Sequence, residues 1–209
     1  MSDIQPAGSL EIRWLIPGQL DAAVAGWFRR FPAETKTHED AYLLDPPLPG
    51  LSVKVRSRQA LEVKAYRGSP GTLEVGGRAL GALQYWQKWS FPLDPHGADA
   101  GMPGGWIPVH KTRHVSRFWL TGGQAVPGDP QQAGQPVCSA ELAQAHVHDE
   151  PWWTIGFEAT GPAGQLRAIL EGTAALMFAQ PLPAPAELGS ENASSYPHWL
   201  TRQASAPRR

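Results

Sequence analysis

The sequence predicts an α+β protein in which mainly antiparallel β-strands close into a polar-lined tunnel barrel, with amphipathic helices flanking it. Three observations point there. Six segments carry an apolar side and a charged side at period two, the spacing of strands with unlike faces. Glycine and proline supply 22 and 21 of the 209 residues, punctuation for many turns and too much for a helical bundle. Two further stretches place apolar residues at helical spacing and would cover the sheet.

The elements follow in order. Ser9–Leu15 reads as a strand, with Glu11 and Arg13 on one face and Leu10, Ile12 and Trp14 on the other. Pro17-Gly18 ends it, and Leu20, Val24, Trp27, Phe28 and Phe31 then recur as one side of a helix, with Asp21 near its start and Arg29-Arg30 near its end to suit the helix dipole. Residues 32–40 are polar and contain His38, Glu39 and Asp40. Ala41–Leu44, which holds Tyr42, reads as a short strand, and the proline cluster that follows reads as a loop.

Leu51–Tyr66 carries the strongest signal. It reads as a hairpin turning at Ser57-Arg58-Gln59, with Ser52, Lys54 and Arg56 on the polar face of one strand and Glu62 and Lys64 on that of the next. For one hairpin, a half-exposed sheet with its charges in water explains the alternation equally well. Six such segments call for another account. A short strand at Thr72–Val75 and a longer one at Leu83–Ser90 follow.

Residues 91–105, with His96 and Asp99, read as a Gly/Pro-rich insertion. Trp106–Leu120 reads as a strand pair or one bent strand, with Lys111 and Arg113 sharing a face. After a low-complexity loop over 122–136, Val137–Leu142 and Trp152–Ala159 make a second hairpin, and Glu141 and Glu158 are each the only charge within their runs. Leu166, Ile169, Leu170, Thr173, Leu176 and Met177 mark a second helix. Pro181–Pro185 reads as a linker, and Ser195–Leu200 as a segment that tucks its aromatics against the body.

These elements predict one domain over residues 8–200 and a frayed tail over 201–209. The formal net charge is −1, so there is no general electrostatic case for nucleic acid or an anionic membrane, and any anion site must be local. The single cysteine, Cys138, excludes an internal disulfide, and its apolar neighbours suggest a core position. A reducing cytoplasm and a soluble chain without a membrane partner are the expectations. No dense Cys/His spacing, Gly-rich phosphate loop or serine nucleophile elbow is present, and His146 and His148 read as solvated turn residues.

If the charged faces look inward, six basic side chains (Arg13, Lys54, Arg56, Lys64, Lys111, Arg113) meet four acidic ones (Glu11, Glu62, Glu141, Glu158). Pairing then leaves positive charge for an anion. Arg and Lys bind phosphate oxygens, and carboxylates among them can hold a divalent cation.

In order and pattern, the charged strands resemble the CYTH superfamily, the triphosphate tunnel metalloenzymes. The counterparts run from Glu11 and Arg13 through Tyr42, Lys54 with Arg56, Glu62 with Lys64, and Lys111 with Arg113, to Glu141, Glu158 and Tyr196 in the tail. The opening strand departs from the family pattern, because Ser9 stands at the same-face position before Glu11.

The resemblance implies a small anionic phosphorylated ligand held by the six basic residues, with Mg²⁺ or Mn²⁺ on Glu11, Glu141 and Glu158. Glu158 or Glu141 would orient a water that attacks the terminal phosphorus, and Glu62 and Tyr42 would complete the lumen. Two readings follow. One is a metal-dependent triphosphatase; the other is a tunnel protein that binds a polyphosphate or similar anion without turnover. A lipocalin-like barrel with an apolar lumen is the third possibility, and it needs the opposite faces inside.

Overall fold

The computed structural model of the chain describes residues 6–45, 47, 48, 50–93, 104–148, 150–183 and 188–205. In chain order the strands are β1 (Ala7–Pro17), β2 (Glu34–Leu43), β3 (Leu51–Arg56), β4 (Ala60–Gly68), β5 (Thr72–Val75), β6 (Ala79–Ala82), β7 (Gln84–Pro92), β8 (Trp106–Thr121), β9 (Gln124–Pro127), β10 (Val137–Val147) and β11 (Glu150–Thr160). The helices are α1 (Ala22–Phe28), α2 (Leu166–Phe178) and α3 (Tyr196–Ser205).

Eight strands hydrogen-bond in the order β10-β11-β1-β7-β4-β3-β2-β8, and β8 pairs back onto β10. The ring is therefore closed, with antiparallel neighbours throughout. Closure leaves no free edge among these eight strands, which removes the usual hazard of an exposed sheet. β9 continues the β2 side of β8, and β5 and β6 form a separate two-stranded ribbon.

The apolar faces point out of the barrel and are covered there. Leu10, Ile12, Trp14, Phe118, Leu142, Ile155 and Phe157 pack against Val24, Trp27 and Phe28 of α1 and Ile169, Leu170, Ala174, Met177 and Phe178 of α2. Each such side chain contributes roughly 1.5–3 kcal/mol by leaving water, so this outer shell sets which strand face looks inward. An apolar lumen of the lipocalin kind is thereby excluded. Asp21 caps α1 by accepting from Ala23 N at 2.6 Å, and Arg30 lies over the Trp27 ring at 4.5 Å and donates to the Met177 carbonyl.

α3 fills one end of the barrel from inside. Tyr196, Trp199 and Leu200 join Leu15, Tyr42, Val109, Ala145 and Val147 in a second apolar cluster. The segment expected to tuck its aromatics does so as a helix that continues past Leu200 to Ser205. Its approach is pinned by backbone hydrogen bonds from Leu15 N to Asn192 O (3.0 Å) and from Ser194 N to Arg13 O (2.9 Å).

Several expectations need correction. The short strand expected at Ala41–Leu44 is the end of a longer one: residues 34–40 make up most of β2, paired residue for residue with β8. Both faces of that stretch are polar, so hydrophobic alternation gave no signal. The loop over 122–136 contains β9, turned by Gly122 and Gly123 at φ 56° and 79°, the left-handed pair that a primed hairpin turn requires. Of the two readings of Trp106–Leu120, the single strand holds: β8 runs 16 residues from Trp106 to Thr121. His96 and Asp99 lie outside the described residues.

The central hairpin turns as expected, with Ser57 and Arg58 both at positive φ. Cys138 is fully buried in the outer shell. No helix among the described residues is long and apolar enough to cross a membrane.

Candidate functional site

Inward-facing positions bring the charged side chains into three connected groups around one cavity of about 90 Å³. All six basic candidates line it, together with Glu11, Glu141, Glu158 and Tyr42, while Glu62 stands behind Lys54 and Arg56.

The deepest group centres on Asp40, whose side chain is 1 % exposed. Its Oδ2 accepts from Lys54 Nζ and Lys111 Nζ, each at 3.1 Å, and Arg56 Nε lies 3.7 Å from Oδ1. Lys111 also donates to Tyr42 Oη at 2.8 Å and sits 3.7 Å above the Tyr196 ring. Glu62 takes the other side, 3.2 Å from Lys54 Nζ and 3.1 Å from Arg56 Nη1. Burial pushes the Asp40 carboxyl up, but Lys111, the His38 ring 3.7 Å away, Lys54 and Arg56 outweigh it and hold it far below the usual carboxylate range. Burial pushes the Lys54 and Lys111 ammoniums down to about 8, offset only in part by Asp40.

A second group joins Arg13, Glu141 and Arg113. Arg13 Nη1 donates to Glu141 Oε1 at 2.8 Å and to Thr154 Oγ1 at 2.9 Å, and Arg113 Nε lies 3.0 Å from Glu141 Oε2. Burial raises the Glu141 carboxyl, yet Arg13, Arg113 and Lys111 bring it down to about 2.

Arg13 is on β1 and Glu141 on β10, with β11 between them. The residue of β11 opposite both is Gly156. A Cβ at position 156 would stand 2.9 Å from Ile12 O and 3.2 Å from both Cβ and Cζ of Arg13, so the guanidinium crosses that strand only because no side chain is there. Gly156→Ala is expected to cost about 1–3 kcal/mol through overpacking and to separate the pair. Urea denaturation checks this, and unchanged stability would remove the role given to Gly156.

In the third group Glu11 and Glu158 face each other directly across β1 and β11. Lys64 Nζ lies between them, 2.6 Å from Glu11 Oε1 and 3.4 Å from Glu158 Oε1, and Ser9 Oγ donates to the same Glu11 oxygen at 2.5 Å. Lys64 lowers Glu158 to about 2, against burial and with help from Lys88.

Sequence reasoning missed Asp40, Gly156 and Lys88. Lys88 stands opposite Lys64 on β7, and its charge also lowers Glu62. Parity could have found it, since Gln84, Trp86 and Lys88 share one face and the first two line the cavity. With Asp40 and Lys88 included, these groups hold seven cations and five carboxylates, a surplus of two positive charges.

The divalent-ion expectation meets a poor fit in this geometry. Among the described residues no three groups of His, Cys, Asp or Glu converge as a metal would require. Glu141 is engaged by two arginines, and the place between Glu11 and Glu158 is taken by an ammonium.

Fold and site together define a closed antiparallel tunnel with an ion-paired, net cationic lumen and a helix in one end. No protein-family model matches the chain, and no curated protein matches it. Among solved structures it is similar to a conserved hypothetical protein, Pfu-838710-001, from Pyrococcus furiosus. The identity is 12%, the TM-score is 0.45, and the match covers 90% of this chain and 98% of that one.

Proposed function

We propose that the tunnel binds a small phosphorylated anion, and that the chain is a divergent relative of the CYTH superfamily that holds its ligand without turnover. The observation that carries this is the charge of the cavity wall: all six basic candidates line it, and the seven cations of the lumen exceed its five carboxylates by two. Phosphate oxygens accept charge-assisted hydrogen bonds from guanidinium and ammonium groups.

Binding stands ahead of hydrolysis because Glu141 and Glu158, at about 2, are weak bases for activating water at neutral pH. The two are separated by incubating the protein with inorganic triphosphate, ATP and thiamine triphosphate plus Mg²⁺ or Mn²⁺. Phosphate release with any of them would reverse that order.

Calorimetry with inorganic phosphate and inorganic triphosphate at low salt tests binding itself. Arg113→Ala is expected to weaken the ligand that binds by about tenfold or more, the loss of one charge-assisted hydrogen bond worth roughly 1.5–3 kcal/mol. Affinity is also expected to be lower at pH 9 than at pH 7, because Lys54 and Lys111 lose protons near 8 and the lumen loses positive charge. Absence of any phosphate-type ligand binding at either pH sinks the proposal.

A further inference from the structure

We infer that Lys64 takes the place of a divalent cation between Glu11 and Glu158, so that the tunnel holds its anion without a metal and excludes one from this carboxylate pair. The second half of that statement rests on the anion-binding reading; the first rests on geometry alone.

Two carboxylates directly opposite on neighbouring strands repel, and a cation between them offsets that repulsion. The ammonium of Lys64 fills that position, at 2.6 Å from one carboxylate and 3.4 Å from the other. Mg²⁺ demands oxygen ligands in near-octahedral array at about 2.0–2.1 Å. Here Oε1 of Glu11 already accepts from Lys64 and from the Ser9 hydroxyl.

A metal on that oxygen would also sit within contact range of a positive ammonium. Burial disfavours the charged form of Lys64, and Glu11 and Glu158 outweigh it, so the ammonium keeps its proton across the physiological range. Among the described residues no further carboxylate joins them to make a metal-binding group of three. Glu141 is committed to Arg13 and Arg113, and Ser9, the same-face neighbour before Glu11 on β1, offers a hydroxyl where a carboxylate would add charge.

The test needs the wild-type chain and two variants. Wild type is titrated with Mn²⁺ alone by calorimetry and electron paramagnetic resonance, and with inorganic phosphate, whose own affinity for Mg²⁺ is weak, in EDTA and in Mg²⁺. No tunnel Mn²⁺ site and phosphate affinities within twofold of each other are expected. Lys64→Met keeps the stem and removes the charge. It is expected to gain Mn²⁺ affinity at least tenfold over wild type, and Glu158→Gln in that background is expected to abolish the gain.

Wild-type Mn²⁺ binding that Glu158→Gln weakens, phosphate binding that vanishes in EDTA, or no gain in a folded Lys64→Met would each overturn the inference. Should Lys64→Met fail to fold, the wild-type Mn²⁺ titration decides by itself. If wild type binds no phosphate in either buffer, the anion reading falls, and the Mn²⁺ titrations still judge the role of Lys64.

Discussion

Asp40→Asn is expected to bring the protein close to unfolding. The substitution keeps the shape of the side chain but removes the charge that three cations share, leaving Lys54 and Lys111 buried beside an amide. Breaking a buried ion pair from one side costs about 3–5 kcal/mol, against a total stability of roughly 5–15 kcal/mol for a domain. For a chain of this length, that corresponds to a fall in Tm of about 6–20 °C.

The acid limb of the stability curve should change with it. The Asp40 carboxyl is held below its unfolded value, so its contribution is complete above the usual carboxylate range and is lost as pH falls beneath it. Glu141 and Glu158, depressed to about 2, lose theirs between about pH 4.5 and 2. The variant should therefore lose less stability than wild type on acidification. Replacing Lys54 and Lys111 by Met in the Asp40→Asn background should recover part of the loss, since an apolar core tolerates what an unpaired charge does not. An unchanged Tm for Asp40→Asn would mean that this cluster does not hold the barrel together.

Trp199→Ala is the other large effect. Trp199 is 1 % exposed at the centre of the end cluster, 5.1 Å from the Trp152 ring centroid and 5.8 Å from that of Tyr196. Truncating a buried ring of this size costs about 3–5 kcal/mol. The consequence reaches the site, because Tyr196 on the same helix stacks on Tyr42 and lies beneath Lys111.

Loosening α3 should therefore expose the C-terminal segment to protease and weaken anion binding together. Trp199→Phe should cost far less, because the indole N–H makes no hydrogen bond among the described residues and the ring volume is largely kept. Equal losses for the Ala and Phe variants would show that something other than ring burial holds α3 in the barrel.

The fold was legible where one face of a strand is apolar and the other charged. Leu10, Ile12 and Trp14 against Glu11 and Arg13, or Val53 and Val55 against Lys54 and Arg56, announce both a strand and its orientation. The ends of the pattern were not legible. Thr35, Lys36, Thr37, His38, Glu39 and Asp40 are polar on both sides, so β2 was hidden, and with it the carboxylate on which the deepest ion cluster depends.

Every charged position singled out as a site candidate turned inward, because the outer apolar shell leaves only one orientation for each strand. Which charge meets which could not be read. Arg13 reaches Glu141, 128 positions away, across a glycine on a third strand, and no local period encodes that meeting.

The sequence by itself therefore determined the strands, their polar and apolar faces, and a lumen rich in both signs of charge, because side-chain alternation is a local property of extended backbone. The tertiary structure decided the partners. Closure of the ring set the cross-strand register and put Lys64 between Glu11 and Glu158. Pairing at such range depends on distance in space, and alternation along the chain carries no information about that distance.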